Sequence, residues 1–406
     1  MQKRIPKTAL ALLERLTASG YEAYLVGGCV RDLLRGETPI DYDMTTSATP
    51  EQMLSVFEGY RVIETGLKHG TLTVLSGGLA YEITTYRIDG EYTDSRHPDS
   101  VTFTRSLTED LARRDFTVNA MAYSPTLGLC DPFGGREDLA AGMLRAVGDP
   151  SRRFTEDALR IIRAVRFSSA LGFRIDPETE AAAFALRARL ADISPERIRV
   201  ELVKLLIGRD AARVLGAYRD ILAAAVPALA ALGAYREAVS LTERLPQDPS
   251  LRLVGLLLPL GEAGAREALL SLRFDKKTVR RVSAAVGAAG EALPQSDAEM
   301  LRSLGALGES CLRDRLAIAC ARDEDGAAAS EMRLLRLLSD GVPYSIGMLD
   351  IDGDALLGIG FPRGKAIGAI LCEMLNEVIE GRIKNTGQDL IAYARRRKKE
   401  LEAQSG

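Results

Sequence analysis

Apolar residues near the start of the chain recur with two different periods, one typical of helices and one of strands. From Thr8 to Ser19 leucines recur at helical spacing, and the segment ends at Gly20. The run from Ala23 to Val26 is largely apolar, as in a buried strand. Further strands, rich in Thr, Val, Ile and Tyr, are predicted at 60–64, 71–75 and 79–86. This part of the chain is therefore predicted to form a sheet with helices.

From residue 154 onward the apolar pattern becomes helical. Beyond about residue 208 the sequence is rich in Ala and Leu, and the helical segments are separated mainly by prolines. The absence of Trp and an aromatic content of 5% also favour helix packing over sheets. We therefore predict an α+β fold whose mixed N-terminal part is followed by an all-α part. A chain of 406 residues exceeds one ordinary core, so two to four domains are expected.

Composition and charge restrict the class of protein. Hydrophobic residues make up 46% and charged residues 27% of the chain, which fits a soluble globular protein. The formal net charge is −3, so a nucleic-acid partner would require a local basic surface. Five cysteines without paired spacing indicate reduced thiols in a cytoplasmic protein. No apolar run approaches the length of a membrane span, so no membrane association is expected.

A pair of glycines follows the first predicted strand. Gly27 and Gly28 stand between the apolar run that ends at Val26 and a helical pattern that begins at Val30. Glycine permits a sharp turn and lets the backbone approach a phosphate group. The N-terminus of the next helix directs free N–H groups at the same place. The pair therefore indicates a phosphate cradle, although a lone Gly-Gly is more often an ordinary turn.

Two carboxylates follow, on what is predicted to be a second strand. Asp41 and Asp43 are two residues apart, so they should point to one face while Tyr42 points to the other. Adjacent carboxylates repel each other unless a cation lies between them, and Mg²⁺ takes such oxygen ligands together with substrate phosphates. A solvated Asp-x-Asp is the alternative for this motif taken alone. A phosphate cradle followed by a metal-binding acid pair indicates nucleotidyl transfer.

The stretch from Tyr24 to Thr46 carries both motifs in this order and resembles the head-domain motif of polymerase-β-like nucleotidyltransferases. Within that group it is most similar to the class II tRNA nucleotidyltransferases (CCA-adding enzymes) and the bacterial poly(A) polymerases. The resemblance implies an N-terminal nucleotidyltransferase head, with a mixed sheet and helices, followed by an all-α neck, body and tail. The expected boundaries are 1–140, 141–207, 208–340 and 341–406.

The resemblance also implies roles for residues of the first motif. Gly27 and Gly28 would cradle a nucleoside triphosphate, and Arg31 would reach its oxygens. Asp41 and Asp43 would hold Mg²⁺ as the cofactor of a two-metal phosphoryl transfer. The acid pair is thus expected to be both metal-binding and catalytic.

Three further parts of the head resemble the family. Glu82, in the string Tyr-Glu-Ile-Thr-Thr-Tyr-Arg, corresponds to a third catalytic carboxylate, but a solvent-facing strand residue is equally compatible. The polar segment 89–103 resembles the loop by which CCA-adding enzymes change from adding C to adding A. It contains His97, a lone histidine that makes no metal site. Arg114, in an Arg-Arg-Asp string, corresponds to a nucleotide contact.

Four charged residues in the predicted neck recur at three-residue steps: Asp157, Arg160, Arg163 and Arg166. On an arbitrary helix, Asp157 and Arg160 would form an exposed ion pair of little energetic value. They also match the base-selecting motif of class II CCA-adding enzymes, in which a carboxylate and a guanidinium pair with cytosine or adenine. Guanine and uracil would leave buried polar groups unpaired. The resemblance implies further nucleotide contacts at Arg163 and Arg166.

The second half of the chain carries a weaker signal. No histidine follows His97, which excludes the His-Asp phosphohydrolase domain of some relatives. A Gly-rich basic segment, 358–368, and the basic run 395–399 suggest that the tail grips an RNA backbone.

The predicted function is addition of C, C and A to the tRNA 3′ end from CTP and ATP without a nucleic-acid template, with release of pyrophosphate. A poly(A) polymerase is the first alternative because it shares the head motifs. A CC-only or A-only adding enzyme and an inactive RNA-binding scaffold are the others. The intact pair of Asp41 and Asp43 argues against the scaffold.

Overall fold

The computed structural model describes residues 2–90 and 101–405 of the chain. The chain divides into two compact units. The first extends to Gly233 and includes Ser271–Phe274, and the second contains Ala234–Leu270 and the chain from Asp275 onward. The finer division into head, neck, body and tail stays a prediction.

The first unit is built around a mixed sheet of seven strands. Their order across the sheet is β3-β4-β5-β2-β1-β8-β9, with β2 parallel to β5 and antiparallel to β1. Short two-stranded pairings lie outside this sheet. The strands are β1 Ala23–Val26, β2 Met44–Thr46, β3 Arg61–Ile63, β4 Thr71–Ser76, β5 Leu79–Thr85, β6 Arg87–Asp89, β7 Val101–Phe103, β8 Ala122–Ser124, β9 Gly128–Cys130, β10 Met143–Leu144 and β11 Arg174–Ile175.

The four strands predicted from apolar patterns are confirmed with small changes at their ends. The first prediction coincides with β1, and the hairpin between β4 and β5 turns at Gly77 and Gly78, both with positive φ. The segment 89–103 was predicted to lack regular structure, which is wrong for its ends, because β6 and β7 pair there. Residues 91–100, including His97, lie outside the described residues.

Eleven α-helices lie in the described part of the first unit, and three of them cover the sheet. Their apolar side chains pack against strand residues that are almost completely buried; these side chains are Leu12, Leu16, Val30, Met53 and Phe57. Each such side chain contributes about 1.5–3 kcal/mol through burial. The helices are α1 Lys7–Ala18, α2 Gly28–Arg35, α3 Pro50–Val56, α4 Leu107–Ala112, α5 Gly135–Ala141, α6 Pro150–Glu156, α7 Leu159–Leu171, α8 Pro177–Leu186, α9 Pro195–Leu206, α10 Ala211–Ala217 and α11 Arg219–Ala225.

The second unit is helical, as the Ala/Leu-rich sequence predicts. Its buried residues include a hydrophobic cluster around Leu304, Leu316 and Leu334 and another around Leu356 and Met374. Across residues 2–90 and 101–405, no helix combines the length and the apolar character that crossing a membrane requires. The helices of the second unit are α12 Tyr235–Arg244, α13 Pro249–Leu257, α14 Gly261–Ser271, α15 Lys276–Ala288, α16 Asp297–Leu307, α17 Glu309–Ala321, α18 Ala327–Ser339, α19 Gly353–Ile359, α20 Lys365–Ile379 and α21 Gly387–Ser405.

Close packing at the start of α5 generates a test of the fold. A Cβ atom at Gly135 would overlap the backbone carbonyl of Thr117, so we expect Gly135→Ala to lower the free energy of unfolding by about 1–3 kcal/mol. Gly216→Ala is the matched control, because that glycine lies exposed in α10 with open space around it. It should raise stability by about 0.5–1 kcal/mol. Urea denaturation measures both, and equal effects of the two substitutions would contradict the packing.

Candidate active site

The glycine turn lies between β1 and α2. Gly27 has φ +77° and ψ −136°, a conformation that favours glycine, and it caps the helix, which begins at Gly28. The helix thus begins two residues before the predicted Val30. A Cβ atom at Gly27 would lie 3.4 Å from Nη1 of Arg114. The turn therefore presents the first N–H groups of α2 beside a guanidinium, an arrangement suited to an anionic group.

The two aspartates come just before β2, so the prediction that the strand carries them is wrong. Their expected alternation is nevertheless observed: Asp41 and Asp43 are exposed, whereas Tyr42 is buried and donates a hydrogen bond to the Arg4 carbonyl at 3.0 Å. The backbone carbonyl of Asp43 accepts from the Val26 N–H at 3.0 Å. This bond ties the acid pair to the end of β1, next to the glycine turn.

Glu82 lies beside this acid pair. In the parallel pairing of β2 with β5, Met44 is opposite Ile83, so the preceding residues Asp43 and Glu82 are neighbours. The pKa of Asp43 is raised to about 6, first because surrounding protein desolvates its carboxylate and then because Asp41 and Glu82 carry like charge. Arg114 acts in the opposite direction. The carboxylates thus repel each other across a small part of the surface.

The acid pair fits a divalent cation. Over the described ranges, 2–90 and 101–405, no group of three or more His, Cys, Asp or Glu side chains is arranged to hold a metal ion. Asp41 and Asp43 would therefore need other oxygen ligands, and the phosphates of a bound nucleotide are the usual ones for Mg²⁺. The raised pKa of Asp43 means that the negative charge of its carboxylate is unfavourable in the fold, and a bound cation would stabilise that charge.

Arg114 connects the glycine turn with the acid pair. Its Nη2 donates to Oδ2 of Asp110 at 3.2 Å, and its charge lowers the pKa of Asp43. Its Nε is buried without a hydrogen-bond partner among the described residues. Arg31 is already bound within the protein: Nη1 donates to Oδ1 of Asn119 at 2.7 Å, and Nη2 pairs with Asp32 at 2.8 Å. Both guanidinium groups lie beside the glycine turn, since a Cβ atom at Gly28 would be 3.6 Å from Nη2 of Arg31.

The neck does not contain the single helix predicted from residue 154. Helix α6 ends at Glu156, Asp157 is extended with φ −137° and ψ 104°, and α7 begins at Leu159. The carboxylate of Asp157 accepts from the Leu159 N–H at 3.0 Å and from Nη2 of Arg197 at 3.1 Å. Its side chain thus projects from a break between helices and has an arginine from α9 as its partner.

Arg160 makes different contacts. Its Nη1 pairs with Glu156 at 3.2 Å and its Nη2 donates to the Arg113 carbonyl at 2.9 Å. The alternative prediction, an exposed ion pair between Asp157 and Arg160, is therefore wrong. Arg160 is only 7% exposed. Its link to Arg113 places α7 next to the segment that carries Arg114.

Arg163 and Arg166 belong to a buried network of charges. Arg163 donates to Asp115 at 2.6 and 2.9 Å, and Arg166 donates to Glu201 at 2.8 Å. Burial alone would raise the pKa of Asp115, but Arg163 holds it at about 2. The Arg166 guanidinium also lies 3.4 Å from the ring centre of Phe167. These interactions fix both arginines.

The segment 113–115 brings the predicted site residues together. Arg114 reaches the glycine turn and the acid pair, the Arg113 carbonyl holds Arg160, and Asp115 holds Arg163. Sequence reasoning did not assign several of the residues that organise this region: Asp110, Asp115, Asn119, Arg197 and Glu201. A four-residue step between Asp110 and Arg114 was the available signal for the first of them. Asp115 and Asn119 also bond to each other across four residues, but the predicted site residues that these four hold, Arg31, Asp157, Arg163 and Arg166, are distant from them in sequence.

Comparison with known proteins gives the family. Residues 23–145 match the family described as "Poly A polymerase head domain", and residues 172–231 match "Probable RNA and SrmB- binding site of polymerase A". The CCA-adding enzyme of Geobacillus stearothermophilus is 37% identical over 407 residues, covering 97% of this chain and 98% of that protein. The chain belongs to the family of CCA-adding enzymes. It is therefore a nucleotidyltransferase.

Other members of the CCA-adding enzyme family agree with this assignment. That of Leuconostoc mesenteroides is 51% identical over 207 residues, which span about half of each chain. The crystal structure of Bacillus stearothermophilus CCA-adding enzyme in complex with CTP matches this chain with a TM-score of 0.83 and 33% identity, covering 98% of both chains. A Thermotoga maritima CCA-adding enzyme complexed with tRNA_CCA, with 20% identity and a TM-score of 0.68, shares the fold. The predicted α+β fold with a nucleotidyltransferase head is thus confirmed.

The raised pKa of Asp43 predicts a pH-dependent stability. The protonated carboxyl is favoured in the fold, so stability that is present below the ordinary pKa of 3.8 is lost as the pH rises through about 6. Without divalent metal, Asp43→Asn should therefore become more stable than the unsubstituted protein as the pH increases from 4 to 7. Urea midpoints at several pH values measure this.

Asp325→Asn, an exposed aspartate of the second unit, is the control and should give a difference independent of pH. Addition of Mg²⁺ at pH 7 should stabilise the unsubstituted protein more than Asp43→Asn. Equal stabilisation of the two proteins would contradict a cation site at this acid pair.

Proposed function

We propose that this chain adds C, C and A to the 3′ end of tRNA, taking the nucleotides from CTP and ATP without a nucleic-acid template. The observation that carries the proposal is the segment 113–115: the Arg114 guanidinium lies beside the glycine turn and acts electrostatically on Asp43, while the Arg113 carbonyl and Asp115 bind arginines of α7. The names of the family members and the bound CTP in the structure of one of them support it. We expect the protein to act in the cytoplasm, where its substrate tRNA is made.

In the proposed reaction the tRNA 3′-hydroxyl attacks the α-phosphorus of the nucleotide, and pyrophosphate leaves. The N–H groups that follow Gly27 and Gly28 bind the triphosphate together with Arg114. Arg31, which Asn119 and Asp32 hold beside Gly28, reaches the triphosphate oxygens. Asp41 and Asp43 would hold Mg²⁺, which when bound lowers the pKa of the attacking hydroxyl and neutralises charge on the leaving group. Glu82 is proposed to orient the acid pair or to add a third carboxylate.

Base choice is assigned to Asp157 and Arg160. The carboxylate of Asp157 keeps free lone pairs that accept from the amine of cytosine or adenine, while its ion pair with Arg197 orients it. The guanidinium of Arg160 donates to the ring acceptors of the same bases. Because Arg160 is held by Glu156 and the Arg113 carbonyl, its position is fixed before the nucleotide binds. Arg163 and Arg166 would complete the nucleotide-facing side of α7.

Two alternatives use the same site. A poly(A) polymerase would add A repeatedly, and the match of residues 23–145 to a poly(A) polymerase head domain keeps this alternative open. A CC-only or A-only adding enzyme would differ in how many nucleotides it transfers. The segment 89–103, which resembles the loop that manages the change from C to A, argues against an enzyme that adds only C.

The proposed function is tested by incubating the protein with tRNA that lacks its 3′ terminus, with Mg²⁺ and with each nucleotide singly and together. We expect growth by three nucleotides with CTP and ATP. Asp41→Ala should lower the rate about 10³-fold or more while tRNA binding remains, because the acid pair no longer holds the cation. Asp325→Ala should leave the rate unchanged. Long A tails, addition of C alone or no incorporation would each reject complete CCA addition.

Arg160→Ala tests the assignment of base choice. It removes the donor that distinguishes the acceptors of cytosine and adenine, so discrimination against UTP and GTP should fall about tenfold to a hundredfold. Affinity for the triphosphate moiety should change less. Arg252→Ala, which removes a similarly buried arginine from the second unit, should lower stability without changing base choice. Unchanged selectivity in Arg160→Ala would reject the assignment.

A further inference from the structure

Asp110 is a carboxylate with no assigned role at the centre of the head. It lies in α4 with no exposed surface. Its Oδ1 accepts from Nε and Nη2 of Arg113 at 3.0 and 2.8 Å, and its Oδ2 accepts from Nη2 of Arg114 at 3.2 Å. One buried negative charge thus holds two consecutive arginines.

The same carboxylate also binds β2, which follows the acid pair, and β6. Oδ2 accepts from the hydroxyl of Thr45 at 3.3 Å, and Oδ1 accepts from the backbone N–H of Arg87 at 3.4 Å. Thr45 lies in β2, two residues after Asp43, and Arg87 begins β6. Asp110 is therefore fixed to the strand that follows Asp43, so the position of Arg114 is set relative to the acid pair.

The charge of Asp110 persists in the fold. Burial alone would raise its pKa, but the charges and hydrogen bonds of Arg114 and Arg113 hold that pKa below the ordinary value. The two arginines and Asp110 together carry one net positive charge, and Arg114 lies beside Gly27 and acts electrostatically on Asp43. Without Asp110, the two guanidinium groups would repel each other in a buried site.

We propose that Asp110 is a positioning residue for nucleotide binding, which acts by holding Arg114 against the glycine turn and so orders the site for the triphosphate that CTP and ATP share. The inference rests on the proposed function for the identity of the nucleotides. It differs from the assignment of Asp157 and Arg160, because a residue that acts on the shared triphosphate should affect both nucleotides equally and leave base choice unchanged.

The test is the binding of CTP and of ATP, each with Mg²⁺ and without tRNA, by isothermal titration calorimetry. Asp110→Asn removes the charge but nearly conserves shape. We expect it to weaken both nucleotides by one common factor of about ten or more, because a hydrogen-bonded charge pair is lost. The ratio of the two affinities, and the discrimination against UTP and GTP in the addition assay, should stay as in the unsubstituted protein.

A double-mutant cycle separates positioning from a general structural role. In an Arg114→Ala background, Asp110→Asn should weaken nucleotide binding no further. Asp314→Asn is the matched control, because Asp314 is also buried and pairs with Arg281 through two hydrogen bonds, but in the second unit. It should lower the melting temperature and leave both nucleotide affinities unchanged.

Several outcomes would overturn the inference. Unchanged affinities in Asp110→Asn, a loss that persists in the Arg114→Ala background, or a change in base choice would each do so. If Asp110→Asn does not fold, Asp110→Glu keeps the charge and displaces the carboxylate from Arg114. It should again weaken both nucleotides by a common factor, and unchanged binding would reject the inference. Failure of the unsubstituted protein to bind CTP and ATP would instead reject the proposed function.

Discussion

Repulsion between acidic side chains, opposed by one arginine, is the constraint on which the rest of the first unit depends. The parallel pairing of β2 with β5 brings together Asp41, Asp43 and Glu82. Repulsion by Asp41 and Glu82 contributes to the raised pKa of Asp43. Arg114 provides the opposing charge within the protein. A cation between the carboxylates would supply the rest of the opposing positive charge. The arrangement therefore suits a metal-dependent reaction better than a purely structural role.

The position of Arg114 is fixed by contacts on two sides. On one side, Asp110 binds the side chain of Arg114. On the other, the Arg113 carbonyl binds Arg160 and the Asp115 carboxylate binds Arg163, both in α7. Through these contacts the segment 113–115 and the arginine-bearing helix belong to one hydrogen-bonded structure.

The arginines of α7 show how a charged helix becomes a preorganised surface. Each of Arg160, Arg163 and Arg166 is held by a carboxylate, respectively from Glu156, Asp115 and Glu201. Buried ion pairs of this kind contribute little net stability because desolvation offsets their attraction. Their effect is to fix the direction of the guanidinium groups, which would lower the entropic cost of the nucleotide binding proposed for α7.

The sequence by itself determined the elements and the types of chemical group. The glycine turn, the acid pair with its buried Tyr42, the strands of the head and the helical second half all follow from local periodicity and from residue types that few other functions require. Only the tertiary structure decided which charges meet. In the structure the two acids lie just before β2, and the predicted neck helix is interrupted at Asp157. Asp157 pairs with Arg197, and Asp110 is the partner of Arg114. The physical reason is that local periodicity is set by backbone geometry over a few residues, whereas the partner of a buried charge is set by desolvation and by elements that are far apart in the chain.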